Sequence, residues 1–326
     1  MASVCKQREE IKMKTVIMES LGISEERLQA LEAPLQAKGM TFASYARTAD
    51  AETLKEQGKD ADAVIIANMP FGDDIIRACP QLKFIDVAFT GVDHVGLKAA
   101  QEKQIAVSNA AGYSNEAVAE LAVGTVLSSY RYLRETEDNC RHGQTKENYI
   151  GNEIKGKTVG IIGLGKIGMR SAELFHAFGA EIIASKKHPS SLPAWITLTD
   201  TDEVLKRADI VVLHCPLNEE TRGMINAEKI SLMKKNALLV NMARGPVVNA
   251  ADLADALTKG TIAGAAADVF DKEPPLSENE PLLKAPHVIM TPHIGFATKE
   301  AMEIRAEIVF ANLAAWMEGK QQNIIL

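Results

Sequence analysis

The segment Thr158-Val-Gly-Ile-Ile162 runs directly into Gly163-Leu-Gly165-Lys-Ile-Gly168, and Met169 to Phe178 continues with helical periodicity as far as Gly179. A β-branched strand, three glycines at this spacing and then a helix restrict the chain to a parallel sheet with helices packed on it. Each glycine has a mechanical reason. Gly163 makes the tight turn, Gly165 lets backbone approach a pyrophosphate, and Gly168 allows close packing of helix on strand. The helix N-terminus, with its unpaired N–H groups, then receives the anion. Three glycines alone can be only a turn; the strand before and the helix after favour a dinucleotide site that also takes in Lys166 and Ile167.

Around this unit the sequence alternates β-branched runs with amphipathic ones. In the first hundred residues Thr15 to Met18, Ala63 to Ala67, Phe84 to Ala88 and Ile105 to Val107 read as strands. After a turn-rich break at Asn109-Ala-Ala-Gly112-Tyr-Ser114, with Ser114 placed to cap a helix from Asn115 to about Tyr132, comes a polar stretch, Glu135 to Asn152, expected to cross the surface. A second series follows: Thr158 to Ile162, Glu181 to Ala184, Ile210 to His214, Ala237 to Asn241, Ile262 to Asp268 and Val288 to Thr291, six strands of a Rossmann sheet. The expected fold class is therefore α/β, two Rossmann-like or flavodoxin-like parallel-sheet domains separated by a cleft, with a helical tail from Lys299 to Gly319 packing back on the first. At 326 residues, 46% of them apolar, the chain has the length and the material for two such cores.

A formal net charge of -7 argues against nucleic acid as a partner, because affinity for phosphate backbones rests on lysine and arginine. The first residues show no apolar leader and no run approaches the ~18 apolar residues of a membrane span, so a cytoplasmic protein that does not enter membranes is expected. Cys5, Cys79, Cys140 and Cys215 have no metal-ligand spacing and are expected to remain thiols; no metal site is expected.

About 20 residues beyond the first glycine, an NAD site usually carries a carboxylate for the adenosine ribose. Here the strand ends in Ala184-Ser185-Lys186-Lys187-His188. Two lysines attract a 2′-phosphate, which favours NADP(H) slightly over NAD(H). Lysine binds phosphate as a mobile point charge, and Lys186 and Lys187 can equally be solvated loop charges, so NAD(P)H is the expected cofactor in either form.

Three polar residues follow the later strands at the edge where open α/β sheets carry ligands: Arg244 in Asn-Met-Ala-Arg-Gly-Pro, Glu273 in Asp268-Val-Phe-Asp-Lys-Glu-Pro, and His293 in Thr291-Pro-His-Ile-Gly295. Singly, each would more often be a surface residue. Behind a dinucleotide fingerprint they suit keto-acid chemistry. A guanidinium grips a carboxylate and polarises the neighbouring carbonyl, an imidazole supplies the proton, and a carboxylate steadies the imidazolium. Of the other histidines only His214, beside Cys215-Pro216 at a strand end, lies near the expected cofactor.

Taken together, Gly163 to Gly168, Leu213-His-Cys-Pro-Leu217, Asn241-Met-Ala-Arg-Gly245, Asp268 to Pro274 and Pro292-His-Ile-Gly295 resemble, in order and spacing, the motifs of the D-isomer-specific 2-hydroxyacid dehydrogenase family. The resemblance extends over nearly the whole chain. It implies a flavodoxin-like substrate domain from residues 1–112 plus 299–326, an inserted nucleotide-binding Rossmann domain from 113–298, and a homodimer formed largely through the latter. It assigns catalysis to Arg244, Glu273 and His293, and implies that Asp268 meets the nicotinamide carboxamide while Cys215 and Ala243, with Pro216, Met242 and Gly295 beside them, line the dinucleotide site. Phe89-Thr-Gly-Val-Asp-His-Val95 looks like the family loop whose N–H groups take the substrate carboxylate, through Thr90 and Gly91.

Within the family, Gly112 to Ala119 and Phe296, three places after His293, are similar to glycerate dehydrogenases and hydroxypyruvate or glyoxylate reductases. Phe296 can instead be a packing residue. Val87 stands where phosphoglycerate dehydrogenases often have arginine, which disfavours a phosphorylated substrate. The alternatives are a phosphoglycerate or D-lactate dehydrogenase of the same family, a formate or phosphite dehydrogenase on the same scaffold, and a non-enzymatic dinucleotide-sensing protein of the corepressor type.

Overall fold

The computed structural model describes residues 12–146, 148–188, 191–273 and 275–326; Cys5 and Pro274 lie outside them. The chain forms two compact units, one running up to Tyr113 and taking in Thr298–Leu326, the other Ser114–Ala297.

The first unit begins as β1 (Met13–Ile17), α1 (Glu25–Gln36), β2 (Met40–Ser44), α2 (Ala51–Gly58), β3 (Ala63–Ile66), α3 (Asp73–Ala78), β4 (Phe84–Val87), α4 (Leu97–Glu102) and β5 (Ala106–Asn109). Its sheet is parallel in the order β2-β1-β3-β4-β5, the flavodoxin-like arrangement. Strands β3 and β4 are buried along their whole length, which is why their sequences are continuous rather than alternating. The sequence reading missed β2. It is an edge strand in which only Met40 is buried, so Met-Thr-Phe-Ala-Ser lacks the apolar run that marks its neighbours.

The second unit opens with α5 (Asn115–Tyr130) and α6 (Leu133–Arg141). The first of these is two residues shorter than expected, because Tyr132 takes a left-handed backbone (φ +51°) and separates the two helices. Ser114 stands at the N-terminus of α5 but makes no side-chain capping bond. The stretch from Glu135 to Asn152, expected to cross the surface, begins within α6, a helix with no buried residue that an apolar pattern could not reveal. The remaining elements are β6 (Thr158–Ile162), α7 (Lys166–Ala177), β7 (Glu181–Ser185), β8 (Ile196–Leu198), α8 (Thr201–Arg207), β9 (Ile210–Leu213), α9 (Ala227–Ser231), β10 (Leu238–Asn241), α10 (Ala250–Lys259), β11 (Gly264–Ala267) and β12 (Val288–Met290). The parallel sheet has seven strands rather than six, ordered β12-β11-β10-β9-β6-β7-β8. The addition is the three-residue edge strand β8, too short for a periodicity argument.

Both faces of this sheet are covered. Val211, Leu213, Leu239, Ala265 and Ala267 face one apolar core, and Val159, Ile161, Val212, Val240 and Ala266 the other, the two-residue alternation of a strand buried on both sides. The strand order reverses between β6 and β9, and ligands of open α/β sheets sit at such a switch point.

The chain then returns to the first unit as α11 (Lys299–Met317). Trp316 stacks on Phe84 with ring centroids 4.9 Å apart, and Phe310 lies 5.8 Å from Phe42. The buried Asn312 amide donates to Asp86 Oδ1 (2.9 Å) and Asn109 O (3.0 Å). Beyond the helix the tail runs antiparallel along β5: Val107 donates to Leu326 O (3.0 Å), Ile325 to Val107 O (2.8 Å) and Asn109 to Asn323 O (3.1 Å). No helix among the described residues is long and apolar enough to cross a membrane.

Candidate active site

At the switch point the three glycines differ in what surrounds them. Gly163 has φ +98°, and a Cβ there would stand 2.4 Å from the backbone nitrogen of Cys215. A Cβ on Gly168 would stand 2.3 Å from Gly163 O, so the helix lies against the turn. Gly165 is at the N-cap of α7 with open space beside it and no side-chain capping bond, which leaves the first-turn N–H groups of Lys166, Ile167 and Gly168 directed at an incoming anion.

A groove of about 710 Å³ leads from these glycines past Cys215 and Pro216 to Ser185, Lys186 and Lys187. Thr201 Oγ1 donates to Ser185 Oγ (3.2 Å), and Lys187 pairs with Glu220 (2.5 Å) on an exposed loop. That ion pair offsets one of the two lysine charges. The turn, the uncapped helix and the groove fit a dinucleotide, for which Gly165 to Gly168 would hold the pyrophosphate and Ser185 would face the adenosine.

The sequence did not reveal what fastens α7 to the sheet. Ser171 Oγ lies 2.8 Å from His214 Nε2. Desolvation lowers the His214 pKa to about 4, and its Nδ1 is buried without a hydrogen-bond partner among the described residues. From sequence, His214 was expected only to lie near the cofactor; Ser171 falls in the glycine-loop helix, but nothing in its own neighbourhood signals the bond. Burial also raises the Cys215 thiol to about 11, so it stands in the groove as a protonated apolar wall.

The other candidates cluster beyond three adjacent strands, since Asn241 pairs with Ala267 and Ala267 with Met290 in the ladder. After β10, Asn241 holds its own turn: Nδ2 donates to Arg244 O (3.0 Å), and Oδ1 accepts from the N–H of Ala243 (3.1 Å), fixing Met242 and Ala243 in between. Arg244 Nη1 donates to Ala243 O (2.8 Å). Gly245 is required because a Cβ there would stand 2.0 Å from the Phe270 carbonyl carbon.

After β11, Asp268 turns out to organise the histidine loop. Its carboxylate accepts from Thr291 Oγ1 (2.6 Å) and from the N–H groups of Ile294 and Gly295 (2.8 Å each), while its backbone oxygen takes the N–H of His293 (2.8 Å). Burial pushes the Asp268 carboxyl upward and those hydrogen bonds pull against it. His293 is thereby held in a left-handed conformation, φ +54°, unusual for a side chain with a Cβ and frequent at functional sites. Its Nδ1 lies 2.7 Å from Glu273 Oε1, and Glu273 Oε2 accepts from the N–H of Phe270 (3.1 Å). Phe296 packs edge-on to the imidazole at 5.7 Å.

Thr90 and Gly91 lie in the first unit, just past the C-terminal end of β4. Asn109 Nδ2 donates to Thr90 O (2.8 Å), and no acceptor among the described residues meets the N–H of Thr90 or Gly91. No group of three His, Cys, Asp or Glu residues able to hold a metal occurs among the described residues, and Cys79, Cys140 and Cys215 are free.

Comparison with known proteins identifies the family. The NAD binding domain of the D-isomer specific 2-hydroxyacid dehydrogenases matches residues 123–295, inside the second unit. A putative 2-hydroxyacid dehydrogenase of Haemophilus influenzae is 35% identical over 321 residues, covering 95% of this chain and 100% of its own. A glyoxylate reductase of Thermofilum pendens is 38% identical over 82% of each chain. Among solved structures, an acyclic imino acid reductase in complex with NADPH and D-Arg matches with a TM-score of 0.88 at 25% identity, over 96% of this chain and 100% of that one. A glycine cradle built for a dinucleotide, a family model spanning more than half of the sequence and relatives of near full length lead to one assignment: this chain is a nicotinamide-dependent oxidoreductase belonging to the D-isomer specific 2-hydroxyacid dehydrogenase family.

Proposed function

We propose that this dehydrogenase acts on small unphosphorylated 2-keto acids, hydroxypyruvate or glyoxylate, and on the matching D-2-hydroxy acids in reverse. The observation that carries the reading is the His293–Glu273 pair at 2.7 Å beside the Arg244 turn, on the strand edge that also bears the dinucleotide cradle. The nicotinamide cofactor supplies a hydride to the substrate's C2 in reduction and accepts it in oxidation.

The chain's own residues do the rest. Arg244 grips the substrate carboxylate and polarises the carbonyl to be reduced. Thr90 and Gly91 receive that carboxylate through their N–H groups. His293 gives its proton to the forming alkoxide and takes it back in the other direction, and Glu273, bonded to Nδ1, fixes the ring and stabilises its charged form. Phe296 restricts the space beside the imidazole and so disfavours bulky substrates. Asp268 keeps His293 in place and would accept from the carboxamide of a bound nicotinamide, which Cys215, Pro216, Met242, Ala243 and Gly295 would wall in.

NADP(H) is slightly favoured over NAD(H), because Lys186 and Lys187 follow Ser185 where a ribose-binding carboxylate would otherwise stand. Changing both lysines to alanine should raise the NADPH Kd several-fold more than the NADH Kd; equal effects would make them solvated loop charges. In the same reading the enzyme is a cytoplasmic homodimer joined through the second unit, where Leu133 and Ile150 are exposed apolar residues. The deciding assay follows loss of nicotinamide absorbance with hydroxypyruvate, glyoxylate, pyruvate and 2-oxoisocaproate, each with NADPH and NADH. Turnover of the last two in preference to the first two would overturn the substrate assignment.

A further inference from the structure

Two charged side chains are buried under the C-terminal edge of the five-stranded sheet, apart from every residue given a role above. Arg305 on α11 is 4% exposed, and Glu19, two residues beyond β1, is 6% exposed. Burying either charge is unfavourable unless its hydrogen bonds are well directed, so what they are directed at is informative. Arg305 Nη2 donates to Leu21 O at 2.6 Å, Nη1 reaches Ala88 O at the limiting distance of 3.5 Å, and Cζ lies 5.9 Å from the Tyr113 ring centroid. Glu19 Oε1 accepts from the N–H groups of Ala67 (2.6 Å) and Met69 (3.2 Å), and Oε2 from Arg47 Nε (3.3 Å).

Apart from Arg47 and Tyr113, all these partners are main-chain groups of loops leaving the sheet at one edge. Leu21 follows β1, Ala67 and Met69 follow β3, and Ala88 follows β4. Burial opposes the Arg305 charge, and Tyr113 and Glu19 both favour it, so the two buried groups sense each other. Ala88 immediately precedes Phe89-Thr90-Gly91, and the far side of that loop is fixed by Asn109 to Thr90 O and by the N–H of Ala110 to Phe89 O (3.1 Å). The loop is thus tied from both sides while the Thr90 and Gly91 N–H groups stay available.

We infer that Arg305 and Glu19 are positioning residues for the substrate carboxylate: from beneath the sheet edge they fix three loops against one another and so hold the Thr90 and Gly91 amides in one arrangement. The inference rests on the assignment of Thr90 and Gly91 as the carboxylate receivers. Neither charged residue touches substrate or cofactor. Their effect is preorganisation, which shows as substrate affinity rather than as a rate of proton transfer.

Arg305→Met keeps the apolar stem and removes the donor fork. The KM for the keto acid and the Ki of oxalate, a carboxylate probe without a reducible carbonyl, should both rise at least about tenfold, with kcat within about threefold of the parent and the NADPH and NADH Kd values unchanged. Arg305→Lys should recover part of the KM. A folded Arg305→Met enzyme whose KM and oxalate Ki stay within about twofold of the parent would overturn the inference and leave Arg305 a packing residue. If that variant does not fold, Glu19→Gln/Arg305→Met, which removes both buried charges together, carries the same two measurements. Gly91→Pro, which deletes one receiving amide, separates the two levels of the argument. An unchanged KM there removes the carboxylate assignment itself; a raised KM there beside an unchanged Arg305→Met removes only the positioning role.

Discussion

The two units share an architecture and differ in how they fix the loops at their functional edge. In the seven-stranded unit the tolerances are set by glycine and by partners within the unit's own continuous stretch of chain: Gly163 at φ +98°, Gly168 under Gly163 O, Asn241 bonded to the turn that follows it, Asp268 bonded to residues 291–295. In the five-stranded unit the corresponding loops are fixed by buried side chains that reach groups more than 200 residues away along the sequence. Arg305 donates to Leu21 O, and Asn312 to Asp86 and Asn109. Local fixation places a cofactor by letting backbone approach it. Distant fixation places loops through a helix made of residues that come after the whole of the other unit.

The contrast is most sharply tested by residues whose loss should affect chemistry in one unit and stability in the other. The largest effect is expected for His293→Ala: kcat falling by about a thousandfold, within the range of a lost general acid, while the cofactor Kd stays unchanged. Turnover equal to the parent would falsify the proton role. Next is Gly163→Ala, whose new Cβ meets the Cys215 backbone at a φ that costs ~1–3 kcal/mol outside glycine. Isothermal titration should show the dinucleotide Kd raised roughly ten- to hundredfold if the loop shifts to relieve that strain. A Gly163→Ala enzyme with parental affinity would mean that the turn is not set by close approach.

A pH titration distinguishes the units by stability. His214 is held at about 4 in the folded state against 6.5 unperturbed. The unfolded chain therefore binds the extra proton first, and stability is lost as pH falls from about 6.5 to about 4, by roughly 3 kcal/mol at most. Urea midpoints measured between these values should slope less steeply in His214→Gln than in the parent; parallel slopes would mean that the imidazole is not desolvated. The smallest expected change is Asn312→Ala, which leaves the Asp86 and Asn109 acceptors buried without their donor and should destabilise by about 1–3 kcal/mol. Dinucleotide affinity should be untouched. A drop in that affinity as large as the drop in stability would show that the two units are not independently fixed.

The same division decides what could be read from sequence. Gly163 and Gly168 were legible as candidates because a Cβ at either would meet backbone, Gly165 because the spacing puts it at the start of the helix, and Arg244, Glu273 and His293 because each follows a strong strand within a few residues. The buried strands β3, β4, β6, β9 and β10 announced themselves as apolar runs. Edge strands β2 and β8 and the fully solvated helix α6 did not, since none of them needs an apolar pattern to form. Asp268 was legible as a candidate but not as the acceptor that holds the histidine loop, because its partners are mostly backbone N–H groups that every residue but proline possesses. Ser171 to His214 and Arg305 to Leu21 were invisible for a further reason: a polar residue inside a helix does not declare which distant group it will meet.

The return of residues 298–326 to the first unit also sets an order of assembly. Strand β5 has its outer edge covered by the 323–326 segment, and β4 is packed by Trp316. During synthesis residues 114–297 emerge complete and can close their own two cores, while the earlier five-stranded sheet waits with its β5 edge unpaired and Phe84 of β4 uncovered by Trp316. Unpaired strand edges are the surfaces on which chains aggregate, so the first-made half is the last to be protected. Destabilising changes in α11 should therefore be felt first as lost yield of intact protein at the ribosome, before any change in the chemistry of the finished enzyme.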